Sequence, residues 1–252
     1  MEQKFLYEAI SKRKSIRKYD PTPLDEETLA EISEYLMNVK TLFPNIKTEM
    51  RIYNQEEVKT LMPIKAPHYL LIFSENKEGH MTNAGYMLQQ VDLFLSSNGI
   101  GSCYLGMAKP TKEVKKSTDL EYVMMLAFGD PTEPVYRDSI AEFARNSLPQ
   151  ISSNADNDNI LEAARLAPSA TNSQPWFFTG NSDIINVYCV KHNAIKAIIY
   201  EKLNKLDMGI AMCHIDIAAE HFGKVIAFDY SSSTTQNKEL NGYYFITKIN
   251  LK

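Results

Sequence analysis

Two segments 124 residues apart carry the same helix, and no other feature of this chain limits its fold as much. One reads NAGYMLQQVDLFLSSNG from Asn83, the other DMGIAMCHIDIAAEHFG from Asp207. In register, Gly85 falls on Gly209, Asp92 on Asp216 and Gly99 on Gly223. The apolar residues Met87, Val91, Phe94 and Leu95 overlie Ala211, Ile215, Ala218 and Ala219, all on one helical face. Any two amphipathic helices can be slid into partial register, but the matched glycines and the shared Asp weigh against coincidence. In each half a helix-rich segment precedes this helix and an apolar strand follows it. The pattern predicts a tandem duplication, joined near 143–158, where RNSLPQISSNADNDN is polar and rich in turn formers.

Helices are expected near 2–11, 25–40, 83–98, 159–167 and 205–221. Apolar strands are expected at 68–73, 122–129, 184–190 and 243–249. Such a mixture makes an α+β or α/β fold. At 252 residues, 44% hydrophobic and 23% charged, the chain can bury a substantial core and is not a disordered or fibrous protein. Its net charge of −4 argues against bulk nucleic-acid binding. Cys103, Cys189 and Cys213 are odd in number and far apart, which suits a reducing compartment and gives no metal-ligand spacing with the five histidines. The segment MEQKFLYEAISKRK lacks a signal-peptide pattern, and no apolar run is long enough to span a membrane. A cytoplasmic protein with no membrane and no nucleic-acid partner is the expectation.

Two loops stand out as candidate binding elements. SKRKSIRKYDPTP places Lys12, Arg13, Lys14, Arg17 and Lys18 within seven positions of an acidic protein, and DPTP stops the preceding helix. Such a run is either a solvated surface or an anion site; the interleaved Ser15 and Ile16 and the tight turn favour the anion. The second loop, LAPSATNSQPW, gathers Ser169, Thr171, Asn172, Ser173 and Gln174 between a helix ended by Pro168 and a strand. It can satisfy its own backbone, or offer donors and acceptors to a flat heterocycle.

Three stretches, RKSIRKYDPTP (13–23), NGIGSCYLG (98–106) and APSATNSQPWFF (167–178), together resemble the signatures of the FMN-dependent nitroreductase family. In typical members one subunit carries all three, and each flavin lies between the basic loop of one subunit and the PSxxN loop of its partner. Here the first half has the basic loop and GIGSCYLG, while NVKTLFPNIKTEM stands where its PSxxN loop would be. The second half has PSATNSQPW, no counterpart of RKSIRK, and GKVIAF in place of GIGSCYLG. The chain therefore resembles the single-chain branch of that family, the TM nitroreductases. The resemblance implies an α+β nitroreductase-like fold of two tandem halves, 1–145 and 146–252. These would form an internal pseudo-dimer of mixed sheets flanked by helices, with one FMN per chain.

By that resemblance Arg13, Lys14 and Ser15 hold the FMN phosphate or ribityl oxygens, and Arg17 stands at the N1/O2 edge of the ring. Pro168, Ser169, Ala170 and Asn172 line the ring or ribityl side, and Tyr104, Leu105 and Gly106 approach the N5 edge through backbone N–H groups. Arg137, in EPVYRDSIAEF, matches the family's late phosphate-binding cation loosely, and a surface Arg reads as well. Gln174, Pro175 and Trp176 read as packing, Cys103 as a small buried residue, and Gly99 and Gly101 as the turn after the helix. The implied activity passes hydride from NADH or NADPH through FMN to a small electron-poor acceptor, a nitro-aromatic or quinone, in a ping-pong cycle without a catalytic side chain. The alternatives are a flavin-binding or storage protein without turnover, and, well behind it, an anion or nucleotide site without flavin. The internal dimer makes a monomeric pseudo-dimer the expected state and leaves further dimerisation open.

Overall fold

The computed structural model describes residues 3–61, 63–153, 156–230 and 240–252, and the statements below concern those residues. Two four-stranded antiparallel sheets flank a central pair of helices. In the first sheet β1 (Thr48–Asn54), β3 (His68–Ser74), β6 (Glu121–Gly129) and β4 (Gly101–Tyr104) lie side by side in that order. The second runs β7 (Trp176–Asn181), β8 (Ile184–Val190), β10 (Tyr243–Leu251) and β9 (Ile226–Asp229). Between them lie α3 (His80–Ser97) and α7 (Ala194–His221).

The two sheets share one connectivity: an antiparallel strand pair, the long helix, an edge strand, then the strand that inserts beside it. Parallel pairing occurs as isolated bridges, Ser15 with Ser102 and Ser152 with Phe178. A short ribbon of β2 (Val58–Thr60) and β5 (Ala108–Pro110), with α4 (Lys112–Lys116), lies beside the first sheet. The shorter helices α1 (Gln3–Ile10), α2 (Glu26–Met37), α5 (Leu148–Ile151) and α6 (Asp158–Arg165) complete the α-helices among the described residues.

Strand β3, HYLLIFS, is buried at all seven positions. Side chains alternate across a strand, so such a run needs cover on both faces. Leu70 and Ile72 enter the main core with α3, whereas Tyr69, Leu71 and Phe73 enter a second cluster with Val58, Ala108 and Val114. The second sheet sends Ile185, Val187 and Cys189 to the main core only.

The matched glycines mark how α3 and α7 meet. A Cβ on Gly85 would lie 2.0 Å from the Leu206 carbonyl oxygen, and one on Gly209 would lie 1.9 Å from that of Thr82. Leu206 occupies the position of Thr82 in the repeat register, so each helix offers the other the same contact, as in an isologous dimer interface. Both helices also end alike. Gly99 and Gly223 take φ of +76° and +72°, and the next residues close back on the helix, Ile100 N–H to Leu95 O and Lys224 N–H to Ala219 O.

Helix α7 begins at Ala194, eleven residues before the expected start at 205, and its first ten residues have no counterpart in α3, which begins at His80. The edge strand β1 escapes a search for apolar runs, since its TEMRIYN sequence is only partly buried. Gly101 serves packing rather than the turn: a Cβ there would meet Ile16 Cγ2 at 2.8 Å. Cys103 is buried, and burial raises its thiol pKa. No helix among the described residues is long and apolar enough to cross a membrane.

Candidate functional site

The basic loop leaves α1 and is pinned to β4. Ile16, wholly buried, donates its N–H to Ser102 O at 2.9 Å and packs over Gly101. Pinning this apolar residue leaves its polar neighbours to face a cavity of about 490 Å³.

The opposite wall is the loop after α6. Among the described residues, the non-glycine positions with positive φ are Ala144, Thr171, Asn172 and Gln174, at 41°, 53°, 59° and 48°. All four belong to two segments that clasp each other beside the cavity, and such strain persists only where the surroundings enforce it. Asn172 Nδ2 donates to Ala144 O at 2.9 Å, and Asn146 N–H donates to Gln174 Oε1 at 2.8 Å. Gln174 N–H donates to Ser169 Oγ at 2.9 Å. Arg145 crosses the clasp, donating from Nε to Ala167 O at 3.1 Å and from Nη1 to Asn172 Oδ1. Trp176, 1% exposed, anchors the outgoing strand.

Of the residues expected at a binding site, Arg13, Lys14, Ser15, Arg17, Arg137, Pro168, Ser169 and Asn172 line this cavity. Thr171, from the same polar loop, also lines it, and Arg145 and Glu133 join them without having been singled out in the sequence. Arg145 opens the polar stretch RNSLPQISSNADNDN, where nothing local separates it from a surface residue. Tyr104, Leu105, Gly106 and Ala170 are not among the lining residues. The Leu105 N–H donates to Met125 O at 2.9 Å, so this amide is committed to the sheet, and its side chain is wholly buried. Tyr104 turns its hydroxyl to Gln89 Oε1 at 3.1 Å, and Gly106 is exposed. The Ala170 N–H reaches both carboxylate oxygens of Asp207 at 3.1 Å.

Five cations and one carboxylate line the cavity. Arg13 is 1% exposed, with Nε 2.9 Å from Asp92 Oδ2 in an ion pair whose N–H is poorly aligned. Arg137 hydrogen-bonds to Arg13 O through Nη1 and to Lys12 O through its backbone. Burial, and next the charge of Arg13, lowers Arg137 to about 10. Arg145 is lowered to about 10 by burial and by Arg13, Arg137 and Arg165. Both guanidiniums sit over the ring of Phe143, at 4.1 and 5.8 Å from its centroid. They remain charged at neutral pH, with more positive charge than the protein neutralises. An anion that accepts several charge-assisted bonds, such as a phosphate monoester, meets this demand.

Behind the second wall, burial raises Asp207 to about 7 against the smaller opposing effect of its bonds to Ala170 and Ser173. A carboxyl raised above its unfolded value favours the folded state while protonated, and that contribution is lost as pH rises through about 7. Asn83 holds the matching place in α3, where its Oδ1 accepts the N–H groups of Leu42 and Phe43. Asp207→Asn should therefore keep the Ala170 bond. Between pH 4 and 8, wild-type stability in urea should fall by a few kcal/mol more than the variant's. Parallel curves for the two proteins would refute this assignment.

The profile of the family described as "Putative TM nitroreductase" matches residues 5–219. The structure is similar to the crystal structure of a putative nitroreductase from Thermotoga maritima MSB8, with TM-score 0.65 and 21% identity over 98% of this chain and 92% of that one. At that identity the likeness shows a shared nitroreductase-like α+β fold. A nitroreductase family protein from Clostridium difficile 630 aligns over 58% of this chain and 94% of its own, with 16% identity and TM-score 0.48. An FMN-dependent nitroreductase from Clostridium difficile R20291 aligns over 53% and 91%, with 18% identity and TM-score 0.41. No curated protein matches the chain in sequence.

Proposed function

The chain belongs to the "Putative TM nitroreductase" family, and from that premise we propose that it is an FMN-dependent NAD(P)H oxidoreductase with one composite flavin site. The observation that carries the reading is the cavity itself. It joins Arg13 and Ser15 of the first half to Arg145, Ser169 and Asn172, more than 100 residues away. Arg13, Arg137 and Arg145 would hold the phosphate, assisted by Ser15 and Lys14, and the cavity's excess of positive charge supplies the attraction. Pro168, Ser169 and Asn172, on the rigid clasp, would line the ring or ribityl side. Arg17, also on the cavity wall, would favour negative charge on the reduced ring. Bound there, FMN would supply the redox chemistry, taking hydride from NADH or NADPH and passing it to a nitro-aromatic, a quinone or a related acceptor.

In this reading the halves, 1–145 and 146–252, arose by duplication and pack as an internal pseudo-dimer in the cytoplasm. The shared sheet order, the exchanged glycine contacts and the matching helix ends support it. At the place equivalent to Asp92, Asp216 accepts the hydroxyl of Tyr86 and lies 4.0 Å from Lys40, which pairs with Glu220 at 3.0 Å. That carboxylate is engaged by a tyrosine and a lysine where Asp92 meets an arginine, which supports a single flavin per chain.

The visible spectrum of the purified chain tests the proposal. One equivalent of FMN, bleached by NAD(P)H without oxygen and restored by an acceptor, is the expected result. A yellow protein that NAD(P)H fails to bleach would favour flavin storage. A colourless protein that cannot be reconstituted would end the flavin reading, and two flavins per chain would end the composite site.

A further inference from the structure

Behind the cavity a buried chain of polar side chains crosses the interface of α3 and α7. Asp92 has no exposed surface, yet three groups converge on it. Ser102 Oγ donates to Oδ1 at 2.5 Å, Gln89 Nε2 donates to Oδ2 at 3.1 Å, and Arg13 Nε stands 2.9 Å from Oδ2. Gln89 also accepts the Tyr104 hydroxyl on Oε1, and its Nε2 lies 3.1 Å from His214 Nε2. His214 Nδ1 lies 2.8 Å from Ala163 O.

The direction of these bonds follows from chemistry. A carbonyl can only accept, so Nδ1 of His214 carries the proton and Nε2 is left as an acceptor. Burial pushes this imidazole down to about 3, so it stays neutral at physiological pH. Gln89 must then turn its NH₂ toward His214 and Asp92 and its carbonyl toward Tyr104. Asp92 is thus braced on one side by Gln89 and on the other by Ser102.

Asp92 does not line the cavity, whereas Arg13 does. Two further guanidiniums, Arg137 and Arg145, repel Arg13 from the same cavity. An unpaired buried guanidinium would move toward water, because burying an uncompensated charge is costly. We propose that Asp92 is a positioning residue for the anion site. With Gln89 and His214 it aims Arg13 into the cavity and ties the basic loop to α6, which leads into the Ser169 loop. The proposal rests on the flavin reading only for the identity of the anion.

Asp92→Asn tests it, since the amide keeps the shape, can accept from Gln89 and can donate to Ser102 Oγ. Wild type and variant are titrated with FMN and with riboflavin, which has the same ring and ribityl chain without the phosphate. The Kd for FMN should rise about tenfold while that for riboflavin stays within about twofold. No change, or an equal loss for both ligands, overturns the proposal, because a merely structural role would move both. Ser102→Ala, which removes one brace and leaves the charge, should shift FMN in the same direction by less. It carries the test if Asp92→Asn does not fold.

Inorganic phosphate provides an arm that needs no flavin: it should raise the Tm of wild type and raise that of Asp92→Asn less. If wild type binds no FMN but the phosphate response behaves this way, the flavin reading fails and the positioning role stands. A wild type indifferent to both FMN and phosphate would overturn both.

Discussion

Gly209→Ala should lower the Tm by roughly 10 °C, from an overpacking cost of about 3–5 kcal/mol. The added methyl would sit 1.9 Å from the Thr82 carbonyl oxygen and 2.7 Å from the Tyr86 nitrogen, both of them backbone atoms inside α3. No rotamer change relieves that clash, so α3 and α7 must separate. They carry Leu88, Val91, Met212 and Ile215, all wholly buried between the sheets. Gly85→Ala should behave alike, because its methyl would meet the Leu206 carbonyl oxygen at 2.0 Å. Gly99→Ala is the control: at φ +76° with open space around it, the cost should stay near 1 kcal/mol. Thermal unfolding followed by circular dichroism separates the cases. A Gly209→Ala protein melting with wild type would mean that the helices do not meet as described.

Arg145→Met should weaken FMN binding by about a hundredfold, the scale of one or two lost charge-assisted bonds. Methionine keeps an apolar stem against Phe143 but removes both the positive charge and the bonds to Ala167 O and Asn172. Arg145→Lys separates these losses, since it restores the charge without the planar fork that spans the clasp. Lysine should therefore bind FMN between wild type and Arg145→Met. Titration followed by flavin fluorescence reads all three. If Arg145→Met bound FMN like wild type, Arg145 would have no part in the site. The apo form should lose little stability in Arg145→Met, because removing the guanidinium also relieves its repulsion with Arg13 and Arg137.

Much of the site is legible in the chain because local chemistry marks it. Five cations in seven positions are costly without an anion or solvent, and a loop dense in hydroxyl and amide groups has few ordinary uses. Eight of the twelve residues expected from these motifs line one cavity. Leu105 illustrates the opposite case. Its motif suggests a free amide, but the Met125 carbonyl takes that N–H just beyond the end of β4, and such partners are not written locally. Arg145 was illegible for another reason. A single arginine in a polar stretch gains meaning only when the clasp with Asn172 folds it inward.

The sequence by itself determined the matched pattern of the two long helices, the apolar strands and the chemical character of the two loops, since these depend on residue type and spacing along the chain. Only the tertiary structure decided which groups meet. Asp92 and Asp216 look identical in the repeat, yet one faces Arg13 and the other faces Tyr86 and Lys40. A buried carboxylate takes its role from the partners that desolvation forces upon it. Those partners arrive from segments distant in sequence, so the difference between the two positions exists only after α3 and α7 have packed.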